Sequence, residues 1–375
     1  MPIEQIDIEN FKSIKKTSLR LTQINILIGA NGAGKSNFIS FFTFLKSVYE
    51  QNLQYYVATQ GGANNILHFG SKYSRYLKGE IFFRKDKQEA PSNSYRFVLS
   101  PSIENELIFK EDSIGYNKNL HDKTLLSWDY RPITYPGKLE SFFPVSQSYR
   151  SLYIKNYFES FHVYHFSDTG PHTPIRQQAR IYDNKELKTD GGNLAAFLYK
   201  IQQNDPYSFG FIEHSIRSIA PFFLQFELYP DNLNPEYIDL KWREKGSEEL
   251  FKAHHLSDGS IRFIALATLL LQPDPPKTLI IDEPELGLHP SALSKLIGMI
   301  KSTAERDVQI ILSTQSPALI SQFQPEDIIV VERKSLRNGK EESLFRRLKT
   351  SELNQWLDDF SLGELWEKNT FGGRP

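Results

Sequence analysis

The sequence predicts an α/β fold: a parallel or mixed sheet core whose two halves lie at opposite ends of the chain, with a β-rich and then a mixed α lobe inserted between them. Three observations lead there. A strand pattern, a glycine-rich turn and an apolar helix pattern follow one another near the N-terminus. Strand and helix patterns alternate again from Leu256 onward. Between these, the chain becomes rich in Tyr, Ser, Asn and Lys and shows short stretches of period-two alternation.

In chain order, Ile3–Phe11 alternates apolar and polar residues as a half-buried strand does, and the apolar run Ile24–Ile28 ends against Gly29. The segment 29–36 is glycine-rich; residues 37–48 then carry Phe38, Ile39, Phe41, Phe42 and Leu45 with neither Gly nor Pro, which predicts a helix. Residues 78–84 and 95–99 alternate as strands of the inserted lobe. An aromatic run at 158–166 and a helix over 193–203, stopped near Asp205-Pro206, mark the mixed middle. A Ser-Asp-Gly-Ser turn at 257–260 opens an apolar helix that ends before Pro273–Pro276. Strands are predicted at 278–281, 308–312 and 327–331, with a helix over 291–306. The expected organisation is therefore residues 1–50 and 250–340 as the two halves of one head, 51–150 as a β-rich lobe, 151–249 as a mixed middle and 341–375 as a C-terminal extension.

Composition narrows the function classes. With 39% hydrophobic, 24% charged and 13% aromatic residues among 375, the chain has the make-up of a folded globular protein. Forty-four Lys plus Arg against forty-five Asp plus Glu leave a net charge of −1, so no general positive field points to nucleic acid, although a local basic groove stays open. Zero cysteines exclude disulfides, thiolate-ligated zinc, iron–sulfur clusters and cysteine nucleophiles. The N-terminus lacks the apolar run of a signal peptide, and no apolar stretch approaches the ~20 residues of a membrane span, so a cytoplasmic location without membrane insertion is expected.

The segment Gly29-Ala30-Asn31-Gly32-Ala33-Gly34-Lys35-Ser36 fits the phosphate-binding pattern of a glycine, four residues and Gly-Lys-Ser. Small residues let backbone N–H groups wrap phosphates, and the helix start beyond adds a favourable dipole. Lys35 would reach the β- and γ-phosphates and Ser36 would ligate Mg²⁺. The run 278–285, Thr-Leu-Ile-Ile-Asp-Glu-Pro-Glu, delivers two adjacent carboxylates at a strand end: Asp282 to hold Mg²⁺ through its shell, Glu283 to position and polarise the attacking water. Taken alone, the acidic pair also reads as a strand cap before a helix. Leu256-Ser257-Asp258-Gly259-Ser260 is a good helix N-cap, and an N-cap is also an anion site.

In this order, the glycine-rich loop, the Leu-Ser-Asp-Gly-Ser signature, the strand ending Asp-Glu and the following Gly287-Leu288-His289-Pro290 resemble the P-loop, ATP-binding-cassette (ABC-type) ATPases of the SMC/RecF branch, and most of all the stand-alone predicted AAA-type ATPases related to OLD and RecF proteins. The opening 8–14 (Ile-Glu-Asn-Phe-Lys-Ser-Ile), 190–195 (Asp-Gly-Gly-Asn-Leu-Ala), 285–290, 313–317 (Ser-Thr-Gln-Ser-Pro) and 362–366 (Leu-Gly-Glu-Leu-Trp) also look like that family.

The resemblance implies an ATPase head that binds Mg·ATP at Gly29, Asn31, Gly32, Ala33, Gly34, Lys35, Ser36 and Asn37. Ser257 and Gly259 would contact the γ-phosphate held by a second subunit, so that ATP joins a homodimer or higher assembly with two-fold symmetry. Gln315 stands where such ATPases usually carry histidine; it can sense the γ-phosphate but cannot shuttle protons near neutrality, and on its local pattern it is a polar strand-end residue before Pro317. Lys12 would lie against nucleotide phosphates, or belong with Lys15 and Lys16 to a solvated basic face. His289 fits either the dimer interface or a simple helix start before Pro290. The long interval between Lys35 and Asp282 shows no heptads, so no coiled-coil arm is expected. The stretch after Val331 is shorter than a domain of normal size, so no fused TOPRIM nuclease domain is expected. The implied role is an ATPase subunit of a bacterial anti-phage system acting with a separately encoded effector, a nuclease or a toxin. A RecF-like ATP-dependent DNA-binding or repair protein and a non-hydrolysing assembly scaffold are the alternatives. The inserted aromatics beside Lys and Arg can stack DNA or RNA bases, though aromatics on alternating strands more often pack a core.

Overall fold

Apolar alternation along the N-terminal strands decides the first layer. The computed structural model describes residues 3–84, 92–118, 127–335, 339–353 and 355–373. Strands β1 (Ile3–Phe11) and β2 (Ile14–Arg20) form a hairpin with Phe11 opposite Ile14, and β3 (Ile24–Ile28) follows. Strands β4 (Leu77–Phe83), β5 (Asn93–Pro101), β6 (Leu107–Asn117) and β7 (Trp128–Pro132) extend the hairpin into a six-stranded antiparallel sheet in the order β2-β1-β4-β5-β6-β7. Its joint is the β1–β4 pairing, with Ile6 opposite Ile81.

A second sheet holds β3 together with β8 (Val163–Tyr164), β9 (Thr278–Asp282), β10 (Gln309–Thr314), β11 (Ile328–Ser335) and β12 (Glu341–Arg347), in the order β12-β11-β3-β10-β9-β8. Strand β3 runs parallel to both neighbours, with Ile26 opposite Leu312 and Ile328, and β12 returns antiparallel along β11. Five of its strands come from the two chain ends, as the sequence predicts; β8 comes from the segment expected to form the mixed middle.

Helix α1 (Lys35–Tyr49) buries its broad apolar face and leaves only a narrow polar stripe, with Ser36 and Thr43 exposed. Its Phe41 meets Phe11 and Phe97 of the first sheet, and its Phe38 meets Phe345 of the second. The side chain of Gln309 joins the chain ends: Oε1 accepts from Ile3 N at 3.1 Å, while Nε2 donates to the carbonyls of Ile3 and Thr22, both at 2.9 Å. Such pairing satisfies a buried amide that would otherwise cost stability.

The chain divides into two compact units, 1–163 with 277–280 and 309–375, and 164–276 with 281–308. This grouping differs from the expected boundaries. Strands from 51–150 share a sheet with the N-terminal hairpin, because β1 offers a second edge that β4 fills, and residues 341–347 supply an edge strand of the second sheet. The second unit carries helices α2 (Leu194–Asn204), α3 (Pro206–Ile219), α4 (Asp258–Leu271) and α5 (Pro290–Glu305), and a small sheet of Phe223–Phe226, Lys241–Glu244 and Leu250–Lys252. Within it Trp242 stacks on Phe223 and Phe251. Asn193 accounts for the 190–195 motif: its amide donates to the carbonyls of Asp183 and Glu186 and its oxygen accepts from Lys188 N, holding the loop before α2.

Candidate nucleotide site

In the first unit, the loop 29–36 leaves β3 and enters α1 at Lys35. Gly29 lies so close to β11 that a Cβ there would strike the carbonyl oxygen of Val331. Gly34, at φ 121°, has the Ser343 hydroxyl where a side chain would go. The loop is held from outside: Ser343 Oγ donates to Ala33 O at 2.5 Å, and Arg333 Nε donates to Gly32 O at 2.7 Å. Lys35 is buried, with Nζ 2.5 Å from Gly29 O and 3.1 Å from Ala30 O, while Ser36 and Asn31 are exposed. Asn37 Nδ2 donates to Ser13 Oγ at 2.7 Å. A backbone loop with no room for a side chain at Gly29 or Gly34, and a lysine folded back onto its carbonyls, fits a phosphate chain.

Lys12 sits beside this loop in a left-handed backbone conformation, φ 46°. Its Nζ donates to Ser40 Oγ at 3.1 Å and Gln60 Oε1 at 3.3 Å, and burial pushes the ammonium down from the ordinary lysine range. A solvated basic face is thus not its setting. Lys12, Ser13, Asn37, Phe69, Tyr73 and Arg333 line an open cavity of about 730 Å³, a size suited to a small ligand. Gln315 follows β10, whose last residue, Thr314, is in register with Ile28 at the start of the loop. Gln315 and the loop therefore leave the same end of the sheet.

In the second unit, Ser257 caps α4 by accepting from Ser260 N at 3.2 Å, as its local pattern predicts. Gly259 packs against the Gly287 carbonyl oxygen, 2.5 Å from where a Cβ would sit, so its lack of a side chain already has a use within one chain. Asp282 ends β9, and Glu283 follows in a left-handed conformation at φ 46°. A non-glycine residue held there is strained, and such strain gathers at functional positions. His289 accepts from Ser291 N at the start of α5, which is the helix-start reading.

Residues 24–321 match the protein family described as "AAA domain, putative AbiEii toxin, Type IV TA system". The chain belongs to this family. It is 28% identical over 97 residues to the energy-coupling factor transporter ATP-binding protein EcfA of Methanocaldococcus jannaschii, covering 26% of this chain and 34% of that protein. It is likewise 28% identical over 130 residues to EcfA2 of Streptococcus pyogenes, covering 33% of this chain and 46% of that protein. The chain thus spans less than half the length of these curated relatives. Its fold is that of SMC heads. A crystallised SMC head bound to the C-winged helix domain of ScpA superposes with a TM-score of 0.58 at 15% identity, covering 94% of this chain and 99% of that one. An SMC head with an extended coiled coil, bound to the C-terminal domain of ScpA from Pyrococcus furiosus, gives 0.54 at 14% identity, covering 95% and 98%.

Sequence reasoning missed the arginines that hold the second unit of this AAA-domain protein together. Buried Arg176 donates to the carbonyls of Ala253 at 2.5 Å, Leu256 at 2.9 Å and Thr169 at 2.6 Å, and pairs with Asp258 at 2.7 Å, so it fixes the turn that carries Ser257. Arg262, on α4, donates to the carbonyls of Phe166 at 2.8 Å and Ser167 at 2.6 Å, and to that of Leu286 in the loop after Glu283. Burial lowers its guanidinium from the usual arginine range. The only sequence signal was an arginine placed on an otherwise apolar helix face. No helix among the described residues is long and apolar enough to cross a membrane.

Proposed function

We propose that this ATPase binds Mg·ATP at the loop 29–36, hydrolyses it slowly, and closes through it into a two-fold homodimer that regulates a separate effector in the cytoplasm. The observation that carries the reading is the loop itself, whose backbone admits no side chain at Gly29 or Gly34 and whose Lys35 already spans its carbonyls. The cavity beside Asn37 supports a place for the nucleoside, with Phe69 and Tyr73 as stacking surfaces and Lys12 and Arg333 as cations.

In this mechanism Lys35 places its ammonium on the β- and γ-phosphates. Ser36 and Asp282 are the proposed metal-binding groups; their hydroxyl and carboxylate oxygens suit a hard cation. Mg²⁺ supplies charge neutralisation on the phosphoryl oxygens. Glu283 orients the water and takes up its proton, Gln315 hydrogen-bonds the γ-phosphate, and Ser257 and Gly259 act from the opposite subunit. The SMC heads that share this fold were crystallised with a domain of ScpA, which supports an effector that docks on the head. The family's description, which names a putative AbiEii toxin of a type IV toxin–antitoxin system, supports a defence role.

Two variants test the core. Lys35→Ala should lose nucleotide binding by at least a hundredfold in calorimetry, and Glu283→Gln should keep binding while slowing turnover roughly 10²–10⁴-fold. Unchanged nucleotide affinity in Lys35→Ala would remove the site, and wild-type turnover in Glu283→Gln would remove the role given to that carboxylate.

A further inference from the structure

In the first unit, the helix Tyr149–Glu159 carries apolar residues on two faces. Ile154 and Phe158 are fully buried in the core, whereas Tyr149, Leu152 and Tyr153 on the opposite side are 72%, 50% and 40% exposed. A helix with one core-facing stripe ordinarily turns polar residues to water. The outward row continues onto Phe142 and Val145 of the preceding loop, both exposed, and contiguous apolar surface of this kind marks an interaction site. Beside it the helix and β7 share an open groove of about 670 Å³, lined by Ile114, Pro132, Ile133 and Val145 with Arg131 and Arg150. Its walls are tied in place: Arg150 donates to Asp129 O and Asp129 Oδ2, both at 2.8 Å, and Lys155 Nζ donates to Pro144 O and Ser146 O, both at 2.7 Å. A groove held by its own hydrogen bonds needs little ordering when something binds.

Charge decides the occupant. Residues 128–156 hold four cations, Arg131, Lys138, Arg150 and Lys155, against two carboxylates. Both carboxylates are already engaged: Asp129 by Arg150, and Glu140 by the backbone N–H groups of Leu53 and Gln54, each at 3.0 Å. Arg131 and Lys138 are exposed, so the rim is positive. We propose that this groove docks an acidic, amphipathic segment of a partner protein, with its apolar side chains against Ile133, Val145 and Leu152 and its carboxylates on Arg131. A second copy of the chain would bring the same positive rim against itself across a two-fold axis, and like charges facing each other oppose association. Single-stranded nucleic acid stacks on planar rings, whereas Ile114, Pro132, Ile133 and Val145 give it none. None of these residues belongs to the loop 29–36, so the surface does not rest on the nucleotide reading.

The experiment selects a library of displayed random twelve-residue peptides on the full chain, then labels the enriched peptides and titrates them by fluorescence anisotropy. Selection should enrich sequences that combine Asp or Glu with Leu, Phe or Trp. Arg131→Glu and Leu152→Asp, both at exposed positions and expected to melt as wild type does, should each weaken binding at least roughly tenfold. A peptide with its carboxylates replaced by lysine should bind Arg131→Glu more tightly than it binds wild type. Three results overturn the proposal: no acidic-apolar sequence is enriched, the enriched peptides bind both variants as tightly as wild type, or oligo(dT) binds wild type and is lost in Leu152→Asp, which gives the surface to nucleic acid. A concentration-dependent dimer that Leu152→Asp abolishes would give it to a second copy and overturn the proposal as well.

Discussion

Glu283 and Lys12 are non-glycine residues held at φ 46°, and each stands where the chemistry is expected. The strain at Lys12 persists because surrounding structure holds it: Lys12 N donates to Ile66 O at 2.7 Å and Lys12 O lies 2.8 Å from His68 Nδ1. Gly29→Ala tests the opposite case, where no room exists; the collision with Val331 O should cost roughly 1–3 kcal/mol by overpacking and weaken nucleotide binding, read by thermal melting and calorimetry. Asp112 tests burial of charge. It is fully buried, accepts from Ser141 Oγ at 2.6 Å and from Thr134 Oγ1, and desolvation raises its pKa above the ordinary carboxylate value. A carboxyl raised on folding binds more protons in the native state. Its contribution is therefore greatest below its unfolded pKa and falls as pH rises through the raised folded value. Asp112→Asn should remove that slope from the stability–pH profile, and an unaltered profile would count against it. The loop carrying Lys35 and the strand end carrying Asp282 and Glu283 were legible as elements because each is a local pattern. Arg333 and Ser343 were not, since they reach the loop from positions 301 and 310 residues away.

Elements were legible where one periodicity ruled. The strand, loop and helix at 24–49 and the strands at 278–282, 309–314 and 328–335 lie close to their expected bounds. Strand β2 was missed because residues 14–20 carry three basic side chains on a strand with a solvated face. Strand β12 was missed for a related reason: its exposed edge position leaves it polar, with Ser343 and Phe345 facing inward or half-buried. Sheet membership was the larger gap, because which edge β4 joins depends on contacts remote in sequence. At this scale Arg176 is decisive, as one guanidinium satisfies the carbonyls that shape the turn before α4. Arg176→Ala should cost about 1–3 kcal/mol for each buried acceptor left unpaired and speed amide exchange at 253–260. Protection there equal to wild type would show that the N-cap alone holds the turn.

For the whole molecule, a net charge of −1 neither drives nor opposes the approach of two copies through long-range repulsion. Association then depends on short-range contacts at the proposed signature surface, where Ser257 is exposed at the start of α4. With turnover arrested by Glu283→Gln, ATP should shift the protein from monomer to dimer in light scattering coupled to size exclusion. Adding Ser257→Arg places a long cation on that surface and leaves the sequence of the loop 29–36 unchanged. The double variant should stay monomeric at the same ATP concentration while its ATP affinity, measured at dilution where only monomer exists, stays within a few-fold of the single variant. This separates signature-mediated closure from other routes to a dimer: a double variant that still dimerises with ATP places the contact elsewhere, and one that loses ATP binding outright shows that Ser257 serves the nucleotide of its own chain.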